Sequence, residues 1–266
     1  CNMPKIKFTK MVASGNDFVV IENNRKRGAL NYKSLAKKIC DRKYGVGADG
    51  LLVLEKSKVA WVRMRIFNSD GSEAQMCGNG ARCSVLYAGR KGVQLETEAG
   101  VLKSQVRGDN VRIKFTDPVN IKLGIPVKVN NRHLEANFID TGVPHAVIFV
   151  EGLDEIHVSE IGRAIRYHKR FSPRGTNVDF VEVLSKDSIG IRTYERGVED
   201  ETLACGTGSV ASALLFALKS DTGNKIKVYT KSREILRVYF DKINNKFQNV
   251  WLEGKAKIVH KGEYYV

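Results

Sequence analysis

Read for hydrophobic period alone, the chain runs twice through one series of elements. SGNDFVVIE, from Ser14, passes from a polar-glycine turn into a β-branched run that predicts a buried strand. SLAKKIC, after Asn31, has apolar positions at helical spacing, and GADGLLVLE, which contains Gly47, returns to a strand pattern. MRIFNSDGSEAQMC then reads as a strand, a polar turn and a cysteine. The second half repeats the series. TGVPHAVIFVE predicts a strand after Thr141, SEIGRAIRY a helix with Ser159 as its N-cap, GTNVDFVEV a strand after Gly175, and IRTYERGVEDETLAC the strand, turn and cysteine. Each cysteine opens a helix candidate, CGNGARCS at Cys77 and CGTGSVAS at Cys205, and β-rich sequence such as VRIKF and EILRVYF follows.

The matched segments keep their order and nearly keep their interval. The cysteines stand 128 residues apart (205 minus 77), Gly47 and Gly175 likewise (175 minus 47), and Ser14 and Thr141 stand 127 apart (141 minus 14). A period this long predicts duplicated domains instead of a solenoid. The expected fold is α+β, in two pseudo-two-fold related halves that pack directly on one another. The boundary falls near Asp117 and Pro118. Residues 3–117 are expected to form an N-terminal half with Cys77, and 118–254 a C-terminal half with Cys205. The tail at 255–266, with AKIVHKGEYYV, has no counterpart at the end of the first half and is expected to return to the first sheet. Cys1 and Asn2 stand ahead of Met3, which reads as a natural start, and take no part in the fold reasoning.

Composition narrows the function classes. With 266 residues, 42% of them hydrophobic, the chain can bury one large core or two smaller ones. Its longest apolar run, Val210 to Leu218, is far short of the roughly 20 residues a membrane span needs, and no charged-then-apolar leader opens it. A soluble protein of the cytoplasm, with no membrane partner, is expected. Five scattered cysteines, odd in number, argue against a disulfide framework, and without Cys-x-x-Cys or a close histidine pair no metal site is expected. The net charge of +15 is spread along the chain with no RNP-type motif, so it reads as a solvated basic surface with no nucleic-acid partner. Such a surface can still attract acidic small molecules.

The duplicated Cys-Gly-x-Gly carries the chemistry. Gly78, Gly80, Gly206 and Gly208 permit close backbone approach and unusual φ at a helix start, where unpaired N–H groups and the helix dipole favour an anion. A single Gly-x-Gly is as well explained by a structural turn. Neither copy has the Lys-Ser/Thr ending of a phosphate loop, so a carboxylate fits as well as a phosphate. A helix N-terminus also lowers a thiol's pKa, which makes Cys77 and Cys205 candidates for reactive thiols, while Cys40 and Cys83 lie inside apolar helical patterns. One such cysteine alone is as readily an inert core residue. Two of them across one carbon atom would make a base and an acid, the arrangement that removes a proton from one face and returns it to the other.

FNSDGSEAQMCGNGARC, YERGVEDETLACGTGS, GVPHAV and GTNVDFVEV together resemble the diaminopimelate epimerase family, from about Met3 to Gly262. The resemblance implies a β-barrel-like sheet around a central α-helix in each half. It implies a cofactor-independent epimerase that interconverts LL- and meso-diaminopimelate in lysine and peptidoglycan precursor synthesis. By resemblance Cys77 and Cys205 are the acid/base pair, and the backbone around Gly78, Asn79, Gly206 and Thr207 holds the reacting carboxylate. Asn16, Asn68, Asn177, Glu195 and Arg196 match substrate-holding positions, and His145, with Glu195, matches groups that modulate the thiols. Arg196 can pair with the distant carboxylate and Glu195 with an ammonium, while the asparagines can serve either.

Three positions depart from the family pattern. Asp-Gln reads Asp49-Gly50, and Gly-Asn-Pro-His reads Gly142-Val143-Pro144-His145. A tyrosine associated with a homodimer falls at His260. Proline or hydroxyproline racemases and phenazine-type isomerases share the two-half plan, but a cyclic imino acid lacks a second charged end for YERG to meet. The paired cysteines also disfavour the isomerase. A redox-sensing or nucleic-acid-binding protein is the alternative outside this class.

Overall fold

The computed structural model describes residues 5–23, 30–130 and 132–266, and the chain divides into two units, Cys1–Ile113 with Gly254–Val266 and Lys114–Glu253. In the first unit β1 (Lys5–Ala13) and β2 (Asn16–Glu22) form a hairpin, followed by α1 (Tyr32–Ile39), β3 (Gly50–Glu55), β4 (Val62–Asn68) and the short β5 (Glu73–Ala74). Then come α2 (Gly78–Tyr87), β6 (Gln94–Thr97), β7 (Gly100–Arg107) and β8 (Asn110–Lys114). β2 and β3 pair in parallel, Phe18 opposite Gly50, and both are nearly continuous apolar runs. They must be, because both faces are covered. Val19, Ile21, Leu51 and Val53 pack with Leu35, Ala36 and Ile39 of α1, and α2 lies against β1, β2, β3, β4 and β7.

The second unit opens with β9 (Val119–Val129), β10 (Arg132–Asp140) and β11 (Pro144–Phe149), then α3 (Val158–Arg166), β12 (Asn177–Ser185), β13 (Ser188–Glu195) and β14 (Asp200–Thr202). α4 (Gly206–Lys219), β15 (Lys225–Tyr229), β16 (Ile235–Ile243) and β17 (Lys246–Lys255) follow. β11 and β12 repeat the parallel pair, with α3 supplying Ile161 and Ile165 to one core cluster. α4 touches β10, β11, β12, β13, β15 and β16, and its Val210, Ala211, Ala213, Leu214, Leu215 and Phe216 are almost wholly buried. A helix apolar on all sides belongs inside its sheet. β18 (Lys257–Tyr265) pairs antiparallel with β1, Lys5 opposite Tyr265, within the first unit.

The register makes the repeat physical. Phe18 opposite Gly50 and Ala146 opposite Val178 are equivalent rungs, 128 residues apart on both strands (146 minus 18, 178 minus 50). The interval of 127 at Ser14 and Thr141 therefore belongs only to the turn, which is one residue longer in the second unit. The helix starts differ from expectation at one place. Asn31 caps α1 through its side chain, accepting from the Ser34 N–H at 3.1 Å, but the N-cap of α3 is His157 and not Ser159. Ser159 lies in the first turn and donates its hydroxyl to Asp200 at 2.6 Å, so its hydrogen bond fixes α3 to β14 instead of capping the helix.

Candidate active site

Each Cys-Gly-x-Gly folds into a helix start whose N-cap is the cysteine itself. Cys77 precedes α2 and Cys205 precedes α4, both in extended backbone, and each sulfur accepts the N–H three residues on: Gly80 at 3.5 Å and Gly208 at 3.4 Å. Sulfur takes the place usually held by a serine or aspartate oxygen. Gly78, Gly80, Gly206 and Gly208 do not adopt the unusual φ expected of them; none has a positive φ. Their smallness serves contact instead. A Cβ at Gly80 would press on Leu52 at 3.0 Å, one at Gly206 would lie 3.1 Å from Leu252, and one at Gly208 would collide with the Asp179 carboxylate. A Cβ added at Gly78 would meet no atom within 4 Å among the described residues beyond its chain neighbours and its own helix, so space is open beside the α2 N-terminus.

In the first unit the expected residues join a hydrogen-bonded chain. Asn16 donates to Asp49 at 3.1 Å and accepts from Asn79 at 2.5 Å, while Asn79 accepts from the buried Arg82 at 2.7 Å. Arg82 also donates to Ser14 at 2.8 Å. Asn16 and Asn79 thus have fixed amide orientations beside the Cys77 helix. Asn68 stands apart from this chain, exposed and bonded to Ser72 at 2.9 Å, though it lies opposite Gly50 on the β3–β4 ladder. A Cβ at Gly50 would lie 3.0 Å from the Phe67 carbonyl, so a larger residue there needs the β4 backbone to give by a few tenths of an ångström.

Asp17 anchors the same region. Burial alone would raise its carboxyl, but Arg42 at 2.9 Å and Lys10 at 2.7 Å hold it at about 2. A depressed carboxylate adds stability that is complete above its unfolded value of about 3.9 and is lost as pH falls through about 2. Because Arg42 is largely exposed, solvent screening reduces the contribution to about 1 kcal/mol. Urea unfolding should show Asp17→Asn less stable than the parent protein by that order at pH 5, with the gap closing near pH 2; a gap constant with pH would show the pair to be energetically idle.

In the second unit Cys205 is buried, 7% exposed, with Thr207 Oγ1 3.3 Å from its sulfur. The expectation of a thiol acidified by its helix fails here. Burial pushes the Cys205 thiol well up, and Glu195 and Asp179 add to the effect, while Thr207 and the Gly208 N–H oppose it. At rest it holds its proton. Burial likewise raises the Glu195 carboxyl, opposed chiefly by the Thr202 hydroxyl. Cys40, the C-cap of α1, is pushed to about 12 by burial, as suits a core thiol.

Asn177 is committed to the backbone at both ends of its amide: Nδ2 donates to the Pro144 carbonyl at 3.0 Å and Oδ1 accepts the Arg196 N–H at 2.8 Å. It braces β11 to the turn that presents Glu195 and Arg196. Arg196 donates to the Arg174 carbonyl at 3.3 Å, and among the described residues it forms no ion pair, with Glu195 or any other carboxylate. His145 is fully buried, its Nδ1 2.7 Å from Asp179 Oδ2. That aspartate, and Thr193 bonded to it at 2.7 Å, carried no signal in the sequence reading. Among the described residues no cluster of His, Cys, Asp and Glu side chains could hold a metal ion, and no helix is long and apolar enough to cross a membrane.

A family model described as diaminopimelate epimerase matches residues 8–122 and 137–259. The chain belongs to the diaminopimelate epimerase family. The protein of that name from Aquifex aeolicus is 40% identical over 278 residues, covering 97% of each chain. The one from Chlorobaculum tepidum is 41% identical over 261 residues, covering 95% of this chain and 98% of its own. Among solved structures, a phenazine biosynthesis protein of the PhzF family from Bacillus anthracis superposes with a TM-score of 0.75 at 18% identity, covering 99% of this chain and 100% of that one. A hydroxyproline epimerase from Agrobacterium vitis gives 0.71 at 15%, covering 98% and 93%. At such identities these two share the fold, the α+β two-half plan of the diaminopimelate epimerase family.

Proposed function

We propose that this member of the family interconverts LL- and meso-diaminopimelate without a cofactor. The observation that carries the reading is the repeated cysteine N-cap: each unit sets a sulfur beside the open N–H groups of a glycine-fronted helix. Those N–H groups, at Gly78, Asn79, Gly206 and Thr207, suit the α-carboxylate, whose charge grows as the α-proton leaves. One of Cys77 and Cys205 removes that proton and the other returns one to the opposite face. The two cysteines exchange the roles of base and acid between the forward and reverse directions of the reaction. His145 and Glu195 modulate the thiol end.

Asn16, Asn68 and Asn177 orient the substrate, Glu195, whose charge acts on Cys205, meets an ammonium, and Arg196, with no carboxylate of its own among the described residues, takes the non-reacting carboxylate at the distal end. Because both ends of the Asn177 amide are bonded to backbone, its contribution is chiefly to hold the Arg196 turn. Val143 offers no side-chain donor, which shifts distal recognition onto Asn68, Asn177 and Arg196, or onto backbone and water. Arg196→Lys should lower kcat/KM for diaminopimelate about tenfold or more, given about 1.5–3 kcal/mol for charged hydrogen bonds. Unchanged kcat/KM would move distal recognition to another group.

The reading places the protein in lysine and peptidoglycan precursor synthesis, in the cytoplasm, where thiols stay reduced. A homodimer is part of it, with His260, which packs edge-on to Phe8 at 5.7 Å, at the family's tyrosine position. The deciding assay gives purified, reduced protein LL-diaminopimelate and, separately, L-proline, and follows isomer formation by chiral chromatography. Conversion of diaminopimelate alone is expected. Conversion of proline alone would make it a racemase of cyclic imino acids.

A further inference from the structure

Under the first turn of α4 lies a buried trio drawn from three adjacent strands: His145 on β11, Asp179 on β12 and Thr193 on β13. Asp179 and Thr193 are cross-strand partners. The Asp179 carboxylate is fully buried and occupied at both oxygens, Oδ2 by His145 Nδ1 at 2.7 Å and Oδ1 by the Thr193 hydroxyl at 2.7 Å. A buried carboxylate is costly unless it is bonded in this way. Gly208, whose N–H caps the Cys205 sulfur, packs directly on the trio; a Cβ there would lie 3.2 Å from Asp179 Cγ and 3.3 Å from His145 Cε1.

The arrangement is unbalanced at one atom. An ionised carboxylate only accepts, so His145 Nδ1 must carry the hydrogen. His145 Nε2 is buried too, and among the described residues it has no hydrogen-bond partner. An unsatisfied buried nitrogen is destabilising, and a half-turn of the ring about its Cβ–Cγ bond would put Cδ2 and Cε1 where Nδ1 and Nε2 lie and re-aim both nitrogens. The hydrogen bond between Nδ1 and Asp179 opposes that flip.

We propose that Asp179 is a positioning residue for proton transfer at the Cys205 end: it fixes the tautomer and orientation of His145 so that Nε2 is the nitrogen offered to the reaction, and Thr193 steadies the carboxylate. The kinetic part rests on the epimerase reading above. The tautomer does not.

The test therefore has two arms on the full chain. In the first, nitrogen-15 NMR of histidine-labelled, substrate-free protein, with the His145 signals assigned through His145→Gln, should show Nδ1 protonated in the parent protein and in Thr193→Val. Asp179→Asn can turn its amide NH2 toward Nδ1 and should move the hydrogen to Nε2. A parent protein with Nδ1 unprotonated, or Asp179→Asn with the parent pattern, overturns the proposal. In the second arm Asp179→Asn should lower kcat for diaminopimelate about 10–100-fold with KM within about threefold, as for other carboxylates that orient a histidine. Thr193→Val should lower kcat several-fold, and it carries this arm if Asp179→Asn fails to fold. An effect confined to KM, or unchanged kcat in the folded variants, also overturns it. If the parent protein has no turnover of diaminopimelate, the epimerase reading fails while the NMR arm still decides what Asp179 does.

Discussion

Alanine at position 205 is expected to abolish epimerisation while leaving the fold intact. The thiol is one of two proposed acid/base groups and the only one on its face of the α-carbon, so nothing replaces it when it is removed. Positioned acid/base catalysis contributes about 10²–10⁴-fold, and a racemisation that needs both faces should fall by at least that much. Structurally the change is mild. The sulfur makes one long cap bond, 3.4 Å from the Gly208 N–H, and a second weak contact with Thr207 Oγ1 at 3.3 Å, and loss of an N-cap costs about 1 kcal/mol. The apolar body of α4, Val210 to Ala217, does not touch that bond. Cys77→Ala should behave alike, since its sulfur caps Gly80 at 3.5 Å from a partly exposed site. Circular dichroism checks the fold and chiral chromatography the turnover. Near-normal turnover by either variant would remove the two-base mechanism, whatever the other did.

These cysteines were legible because a duplicated motif is visible in one sequence, and the strands beside them because a parallel strand covered on both faces leaves an unbroken apolar run. Other features were not, for reasons that can be named. Ser159 has the right chemistry for an N-cap, but His157 and Val158 precede it, and only the position of Asp200 shows where its hydroxyl goes. The acidity of Cys205 was misjudged because a helix N-terminus is written in the sequence, whereas burial beside Glu195 and Asp179 is not. Asp179 and Thr193 look like ordinary polar positions in strands of alternating pattern. Their meeting with His145 depends on strand order, which brings three distant segments side by side.

Gly208→Ala and Gly78→Ala should separate packing from catalysis, because the two glycines front equivalent helices in opposite surroundings. Alanine ordinarily favours a helix over glycine by about 1 kcal/mol. At Gly208 the added methyl meets a carboxylate that cannot step aside, bonded at both oxygens and backed by His145 at 3.3 Å. Overpacking costs about 1–3 kcal/mol, and disturbing a buried charge about as much again. The melting temperature of Gly208→Ala should fall by roughly 5–12 °C, at about 2–4 °C per kcal/mol for a chain of this size, with turnover reduced as well. A Cβ at Gly78 meets no atom within 4 Å among the described residues beyond its chain neighbours and its own helix, so the alanine variant should melt within about 2 °C of the parent protein. If that open space is where the substrate carboxylate approaches the α2 N–H groups, the same methyl should nevertheless lower kcat/KM about tenfold or more, the value of one charge-assisted hydrogen bond. Full activity in Gly78→Ala would place the carboxylate elsewhere, and an unchanged melting temperature in Gly208→Ala would mean that the His145–Asp179 pair yields to its neighbour instead of being held by it.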